Sequence, residues 1–142
     1  MLFRSVHITG EPGVFLVLVP VQATLDPVDF RIYMANNTPY TLLFSYILRH
    51  NNLDEGKASG VIEAAGFVFL QYASKKEIDK WDSVMVRIIF HKNGVSGAAS
   101  VAEHRFMIRT QLLVAARSKK MPLLQQECFP IFIANPDRKS VV

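Results

Sequence analysis

The chain has 142 residues, of which 50% are hydrophobic and 20% are charged. This composition excludes an intrinsically disordered chain and is sufficient for one domain with its own core, without metal or disulfide support. The net charge of +4 is unevenly placed: residues 1–71 carry four basic and six acidic side chains, whereas residues 72–142 carry twelve and six. A basic half attracts acidic partners, but scattered charges are also typical of an ordinary solvated surface.

The cysteine content and the apolar runs of the sequence indicate the cellular compartment. Cys128 is the only cysteine, so an intrachain disulfide is excluded and a reducing, cytoplasmic location is expected. The apolar run at residues 15–19 is much shorter than the ~20 residues that cross a bilayer, so no membrane partner is expected. A signal peptide over residues 1–23 is the alternative, which the glycines and prolines around the run disfavour.

The first third of the chain predicts a tail, a buried strand and a hairpin. Residues 1–13 are interpreted as an N-terminal tail or the remnant of a linker. Residues 14–19 form a continuous apolar run, which predicts a strand buried on both faces or paired at a dimer contact. Two alternating apolar runs within residues 29–48 flank an Asn-Asn-Thr-Pro turn, so we expect a β-hairpin there.

The middle of the chain predicts a loop, two short strands and a helix. Residues 49–57 are polar and are predicted to form a loop, followed by short strands at residues 60–63 and 66–70. Ser74 can cap a helix over residues 74–81, and a glutamate three residues later completes a capping box. An isoleucine and a tryptophan lie on one face of this helix and are expected to pack against the sheet.

The second half adds strands of the same alternating kind. Residues 111–116 fit a strand or a helix, and a strand is favoured. We predict strands at residues 84–91, 105–109, 111–116 and 129–133, a hairpin turn at 92–94, an irregular segment at 95–103, a basic loop at 117–121 and a C-terminal tail at 135–142.

About eight strands at near-regular spacing with one short helix are typical of a β-sandwich or a barrel. The fold expected is all-β: a single antiparallel β-sandwich domain over residues 14–134 with the helix at one edge. No internal repeat and no linker long enough to separate two domains is present in the sequence.

These strands carry a resemblance to a known family. The apolar run that ends in Leu-Val-Pro-Val at residues 18–21, and the stretch from Phe30 to Tyr40, resemble a β-rich domain of unknown function. That domain is found N-terminal to Smr domains in some bacterial proteins. The resemblance covers about residues 14–133, and an alanine at position 64 stands where the family often has proline. It implies a bacterial, cytosolic β-sandwich without catalytic residues, and any nucleic-acid role would belong to the Smr segment, which this sequence lacks.

No constellation of residues predicts an enzyme, a metal site or a cofactor site. Four histidines are present without ligand spacing, although His91 and His104 lie on neighbouring predicted strands and are candidates to meet across a hairpin. Cys128 precedes an apolar strand, where a buried inert thiol is usual. A Gly-Lys-Ala-Ser sequence at residues 56–59 lacks the other features of a phosphate loop, and no pair of carboxylates is singled out.

Two groups of residues are candidate binding sites. A basic patch, the basis of a weak nucleic-acid-binding alternative, is expected if the six side chains Lys75, Lys76, Lys80, Arg117, Lys119 and Lys120 meet in space. An aromatic platform for carbohydrate is expected at Tyr40 and Tyr46, which share one face of a strand; further candidates are Tyr33, Tyr72 and Trp81. Four phenylalanines at alternating positions are expected in the core instead: Phe67, Phe69, Phe106 and Phe129.

The function expected from the sequence is a non-catalytic interaction or scaffolding domain with a protein partner or a second copy of itself. Mean hydropathy is +0.20, which indicates either a large core or an apolar surface covered by a neighbour. An open sandwich also leaves edge strands with unpaired backbone groups.

Overall fold

Two antiparallel sheets packed face to face make up the domain. The computed structural model of the chain describes residues 12–22, 28–51, 53–81, 83–91, 99–108, 119–121 and 126–134. Within them lie nine strands and one helix: β1 Gly13–Pro20, β2 Asp29–Asn37, β3 Thr41–His50, β4 Leu53–Ile62, β5 Phe67–Ser74, α1 Lys75–Lys80, β6 Ser83–His91, β7 Ala99–Phe106, β8 Lys119–Met121 and β9 Gln126–Ala134.

The strand order defines two layers. One sheet has five strands in the order β5-β2-β1-β9-β8, and the other has four in the order β4-β3-β6-β7. Every pair of neighbours is antiparallel. The predicted all-β class, with antiparallel sheets and one short helix, is confirmed, and the sheets form a sandwich rather than a barrel.

The core lies between the two sheets and follows the two-residue period of the strands. Alternate residues of β1 and β2 meet alternate residues of β3 and β6 in a single buried cluster, to which α1 adds Ile78. The opposite face of β1 is also buried, since Phe15, Val17 and Val19 form a second cluster with Ala35. The prediction of a first strand buried on both faces is therefore confirmed.

The predicted β-hairpin at residues 29–48 is wrong. Strand β2 belongs to the five-stranded sheet and β3 to the four-stranded sheet, so the turn between them carries the chain from one layer to the other. Strand β2 pairs instead with β1 and β5. Asparagine and proline favour a tight turn both in a hairpin within one sheet and in a crossover between two sheets. The turn residues alone therefore do not distinguish the two.

The side chain of Asn36 holds this crossover. It is fully buried, and its Nδ2 donates to the backbone oxygens of Tyr40 at 2.7 Å, Ile62 at 3.3 Å and Glu63 at 3.0 Å. Its Oδ1 accepts a hydrogen bond of 2.6 Å from Thr38 Oγ1. Ile62 ends β4 and Glu63 begins the connection from β4 to β5, which is the second crossover between the sheets. One amide group thus ties the first two crossovers together.

The predicted helix and its cap are confirmed. Ser74 Oγ accepts from the backbone N–H of Glu77 at 3.1 Å, and Glu77 Oε1 accepts from the backbone N–H of Ser74 at 2.9 Å. Ile78 is fully buried and Trp81 nearly so, because both lie on the face of α1 that packs on the core.

Several predicted boundaries in the middle of the chain need correction. The polar loop at residues 49–57 is wrong, because β3 extends to His50 and β4 begins at Leu53. Strand β4 is at a sheet edge and faces water, so its residues are polar and resemble those of a loop. The short strands predicted at residues 60–63 and 66–70 are parts of the longer β4 and β5.

Boundaries in the second half also shift. Strand β7 covers most of the segment predicted as irregular, Lys119–Met121 form a short strand rather than a loop, and β9 begins at Gln126. Strands β6 and β7 pair as antiparallel neighbours, but the predicted turn at 92–94 lies outside the described residues, as do the strand at 111–116, residues 1–11 and residues 135–142. No helix in the described part of the chain is long and apolar enough to cross a membrane.

We expect Asn36→Ala to lower the free energy of unfolding by about 3 kcal/mol, because three buried or part-buried carbonyls lose their donor. Urea denaturation monitored by circular dichroism measures this. The matched control is Thr38→Val, which removes the hydroxyl that donates to Asn36 Oδ1 and accepts from the backbone N–H of Tyr40, and is expected to cost about 1 kcal/mol. A cost for Asn36→Ala no larger than that of the control contradicts the role assigned to the amide.

Candidate interaction surface

The aromatic platform predicted at Tyr40 and Tyr46 is not present on the surface. Tyr46 has 0% of its surface exposed, and Tyr40 is partly buried against the core. Even-numbered residues of β3 point between the sheets, so the face that the two tyrosines share is the inner one. Trp81 is buried as well.

Another aromatic group is open to solvent. We call Tyr33, Phe67, Phe69 and Tyr72 the aromatic patch; it lies on the outer face of the five-stranded sheet, where β5 pairs with β2. Phe67 and Phe69 are each 43% exposed and Tyr72 is 64% exposed. Ring centroids lie 5.7 Å apart for Tyr33–Phe67, 5.6 Å for Tyr33–Phe69 and 5.0 Å for Phe69–Tyr72, all edge to face. The four side chains therefore form one continuous aromatic surface.

A β-bulge brings Tyr72 onto this face. Tyr33 pairs with Phe69 but Ile32 pairs with Gln71, so β5 has one extra residue at this point. Gln71 points inward, since its Oε1 lies only 2.6 Å from where a Cβ on Gly56 of β4 would be. The next residue, Tyr72, consequently lies on the outer face with Phe69, whereas strict alternation would have placed it inside.

Beyond the aromatic patch the outer face of the five-stranded sheet stays apolar, but most of its side chains are buried. Tyr33 packs against the second buried cluster, which includes Val17, Ala35 and Cys128. Beyond it, Phe132 of β9 is 41% exposed and its ring lies 5.6 Å from that of Phe15. Cys128 is fully buried in this cluster, as its position beside an apolar strand predicted.

Phe67 and Phe69 were predicted to be core residues, and that prediction is wrong. They alternate with Val68 and Leu70, so both faces of β5 are apolar and the period of two does not reveal which face is inside. Phe129 is buried as predicted, and the side chain of Phe106 is outside the described residues. The exposed face becomes identifiable only once the bulge and the pairing with β2 are known.

The predicted basic patch is not brought together. Lys75, Lys76 and Lys80 lie on α1, directly after β5 at one edge of the five-stranded sheet. Lys119 and Lys120 lie on β8 at the opposite edge, with three strands between. Adjacent strands are ~4.8 Å apart, so the two groups are separated by about 19 Å across the sheet. Arg117 lies outside the described residues.

Charged side chains gather instead along the edge of the four-stranded sheet. Lys57 Nζ lies 2.9 Å from Asp54 Oδ2, and Arg49 Nε lies 3.1 Å from Asp54 Oδ1. The hydrogen bond from Lys57 is the main cause that lowers the pKa of Asp54, with the charge of Arg49 adding to it. Residues 56–59 form part of strand β4 here, so they do not make a phosphate loop.

The candidate metal ligands do not converge in the described part of the chain. No group of three or more His, Cys, Asp or Glu side chains comes together there. The register of β6 and β7 pairs His91 with Ala99 and His104 with Val86, so the two histidines are not cross-strand partners. The expectation that they meet across a hairpin therefore has no support in the backbone register.

The sequence matches the family described as a domain of unknown function, DUF2027, over residues 13–129. The match runs from the first residue of β1 into β9, and the chain belongs to this family. The predicted resemblance to a domain of unknown function is confirmed at that level. Comparison with curated proteins gives no match.

We expect Tyr46→Phe to raise the free energy of unfolding by about 1 kcal/mol, because the buried Tyr46 hydroxyl finds no hydrogen-bond partner in the structure described. Burial also raises the pKa of Tyr46 above its ordinary value. Above about pH 10 the unfolded chain therefore loses this proton before the folded chain does, and folding stability falls as pH rises.

Urea titrations at pH 7 and pH 10.5 test both effects. The loss of stability between the two values should be smaller for Tyr46→Phe than for the natural chain. The control is Tyr72→Phe, whose ring is 64% exposed and whose substitution should leave the unfolding free energy at pH 7 unchanged. A destabilised Tyr46→Phe would mean that the hydroxyl has a partner.

Proposed function

We propose that this domain is a non-catalytic interaction module that binds a protein partner through the aromatic patch. The observation that carries the proposal is the exposure of Phe67, Phe69 and Tyr72 on one sheet face, where ring contacts through Tyr33 join them into one group. Single exposed apolar residues are common on soluble proteins, but contiguous aromatic surfaces mark interaction sites. Aromatic side chains are also enriched at protein interfaces and among the residues that dominate binding energy.

The surroundings of the aromatic patch favour a protein over a carbohydrate. Carbohydrate and small-molecule sites combine aromatic rings with several convergent polar groups. Here the rings pack edge to face on one another, and the neighbouring Ala35, Phe15 and Val17 on the same sheet face are apolar and buried, so they offer a ligand no polar group. Arg31, which pairs with Tyr72, supplies one polar group at the margin. An exposed aromatic patch with a polar group at its margin resembles the anatomy of a protein interface.

The wider setting of the proposal comes from the sequence. Resemblance to the domain found N-terminal to Smr domains supports a role as an interaction module in a bacterial, cytoplasmic nucleic-acid-processing protein. Any direct contact with nucleic acid would then belong to the Smr segment. The separation of the lysines on α1 from those on β8 gives direct nucleic-acid binding by this domain no further support.

Site-specific photo-crosslinking in cells tests the proposal. We expect p-benzoylphenylalanine at position 69 to give a covalent protein adduct upon irradiation, because this ring lies in the centre of the patch. The matched control places the same residue at position 61, since Val61 is 58% exposed on the other sheet. Gel shifts and mass spectrometry of the adducts provide the measurement.

The two positions give distinct outcomes. A discrete adduct at position 69 with little or none at position 61 supports binding through the aromatic patch. Equal adduct formation at both positions, or none at position 69, contradicts the proposal.

A further inference from the structure

The four edge strands of the two sheets differ in charge. Strand β4 carries Asp54, Glu55 and Lys57, and the short β8 begins with two lysines. Strand β7 carries a glutamate and an arginine. Charges on an edge strand oppose pairing with another chain, and natural proteins use them for that purpose. Strand β5, with the sequence FVFLQYAS, has no charged residue and no proline, so among the edge strands of the described part of the chain it is the one that lacks that protection.

The bulge makes β5 complementary to a second copy of itself. Phe67, Phe69 and Tyr72 face outward, whereas Gln71 and Ala73 face inward. An antiparallel pair of β5 strands centred between residues 70 and 71 places Phe69 of each copy opposite Tyr72 of the other. Outward residues then meet outward residues in both halves of the pair, and two aromatic patches merge into one surface.

Charges that flank β5 fit the same arrangement. Glu63, which is exposed, lies in the turn before β5, and Lys75 and Lys76 follow it on α1. In an antiparallel pair the beginning of one β5 lies beside the end of the other. The glutamate of each copy therefore approaches the two lysines of its partner, which favours this orientation over a parallel one.

We infer that the partner of the aromatic patch is a second copy of this chain, joined by antiparallel β5–β5 pairing into a continuous ten-stranded sheet. This inference rests on the proposed function and names the occupant of the same surface. The symmetric contact is isologous, so it closes as a dimer and leaves no free β5 edge. Strand addition at a sheet edge supplies backbone hydrogen bonds, and the merged aromatic patches supply the apolar contact.

A charge-swap experiment on the purified full chain tests the pairing. One variant carries Phe69→Lys and Tyr72→Lys, and the other carries Phe69→Glu and Tyr72→Glu. Light scattering should show a dimer for the natural chain and dimerisation at least about tenfold weaker for each variant alone. An equimolar mixture should recover dimers, because each introduced lysine lies opposite an introduced glutamate. The control Val61→Lys, on an exposed position of β4, should dimerise like the natural chain.

Two results overturn the inference: a natural chain that stays monomeric at high concentration, or a mixture of the two variants that does not recover dimers. Circular dichroism establishes that each variant is folded. Should a variant fail to fold, the purified chain with p-benzoylphenylalanine at position 69 and no other substitution tests the pairing instead. Its adduct must join two copies of the chain at or near residue 72. An adduct formed in cells with a different protein leaves the proposed function standing and removes the self-pairing.

Discussion

The buried amide of Asn36 is the interaction on which the placement of the sheets depends. Its Nδ2 donates to carbonyls at the first two connections that pass from one layer to the other, β2–β3 and β4–β5, and its backbone N–H donates to Gly66 O at 2.8 Å. These bonds hold β2 and β5 in one sheet while β3 and β4 lie in the other. A buried polar group destabilises the fold unless its hydrogen bonds are satisfied. Here the hydrogen bonds of the buried amide specify where the chain passes from one sheet to the other.

The candidate surface follows from that arrangement. Because the second crossover delivers β5 to the side of β2, the rings of Phe67 and Phe69 meet Tyr33, and β5 becomes an edge strand. The bulge then adds Tyr72 to the same face. The aromatic patch and the uncharged edge are thus one structural feature, so binding through the patch and strand pairing at the edge use the same few residues.

Sequence alone predicts the class of this fold and its local elements well. Alternation in β2, β3 and β6 identifies the strands, and Ser74 with Glu77 identifies the helix and its cap, because both signals are local. The pairing of β2 with β5 and the inward face of β3 depend on contacts distant in the chain, and the turn at Asn36 looks the same for either topology. The sequence therefore predicts an exposed Tyr46 and a buried Phe69, and the structure has the reverse.

Hydrogen–deuterium exchange of the Asn36→Ala variant tests the central claim most directly. If the amide fixes the first two crossovers, exchange should quicken most in the turn before β5 and along β5 itself, while the β3–β6 pair keeps protection close to that of the natural chain. A variant whose β5 amides exchange at the natural rate, or whose exchange rises by the same factor in every strand, would contradict the account.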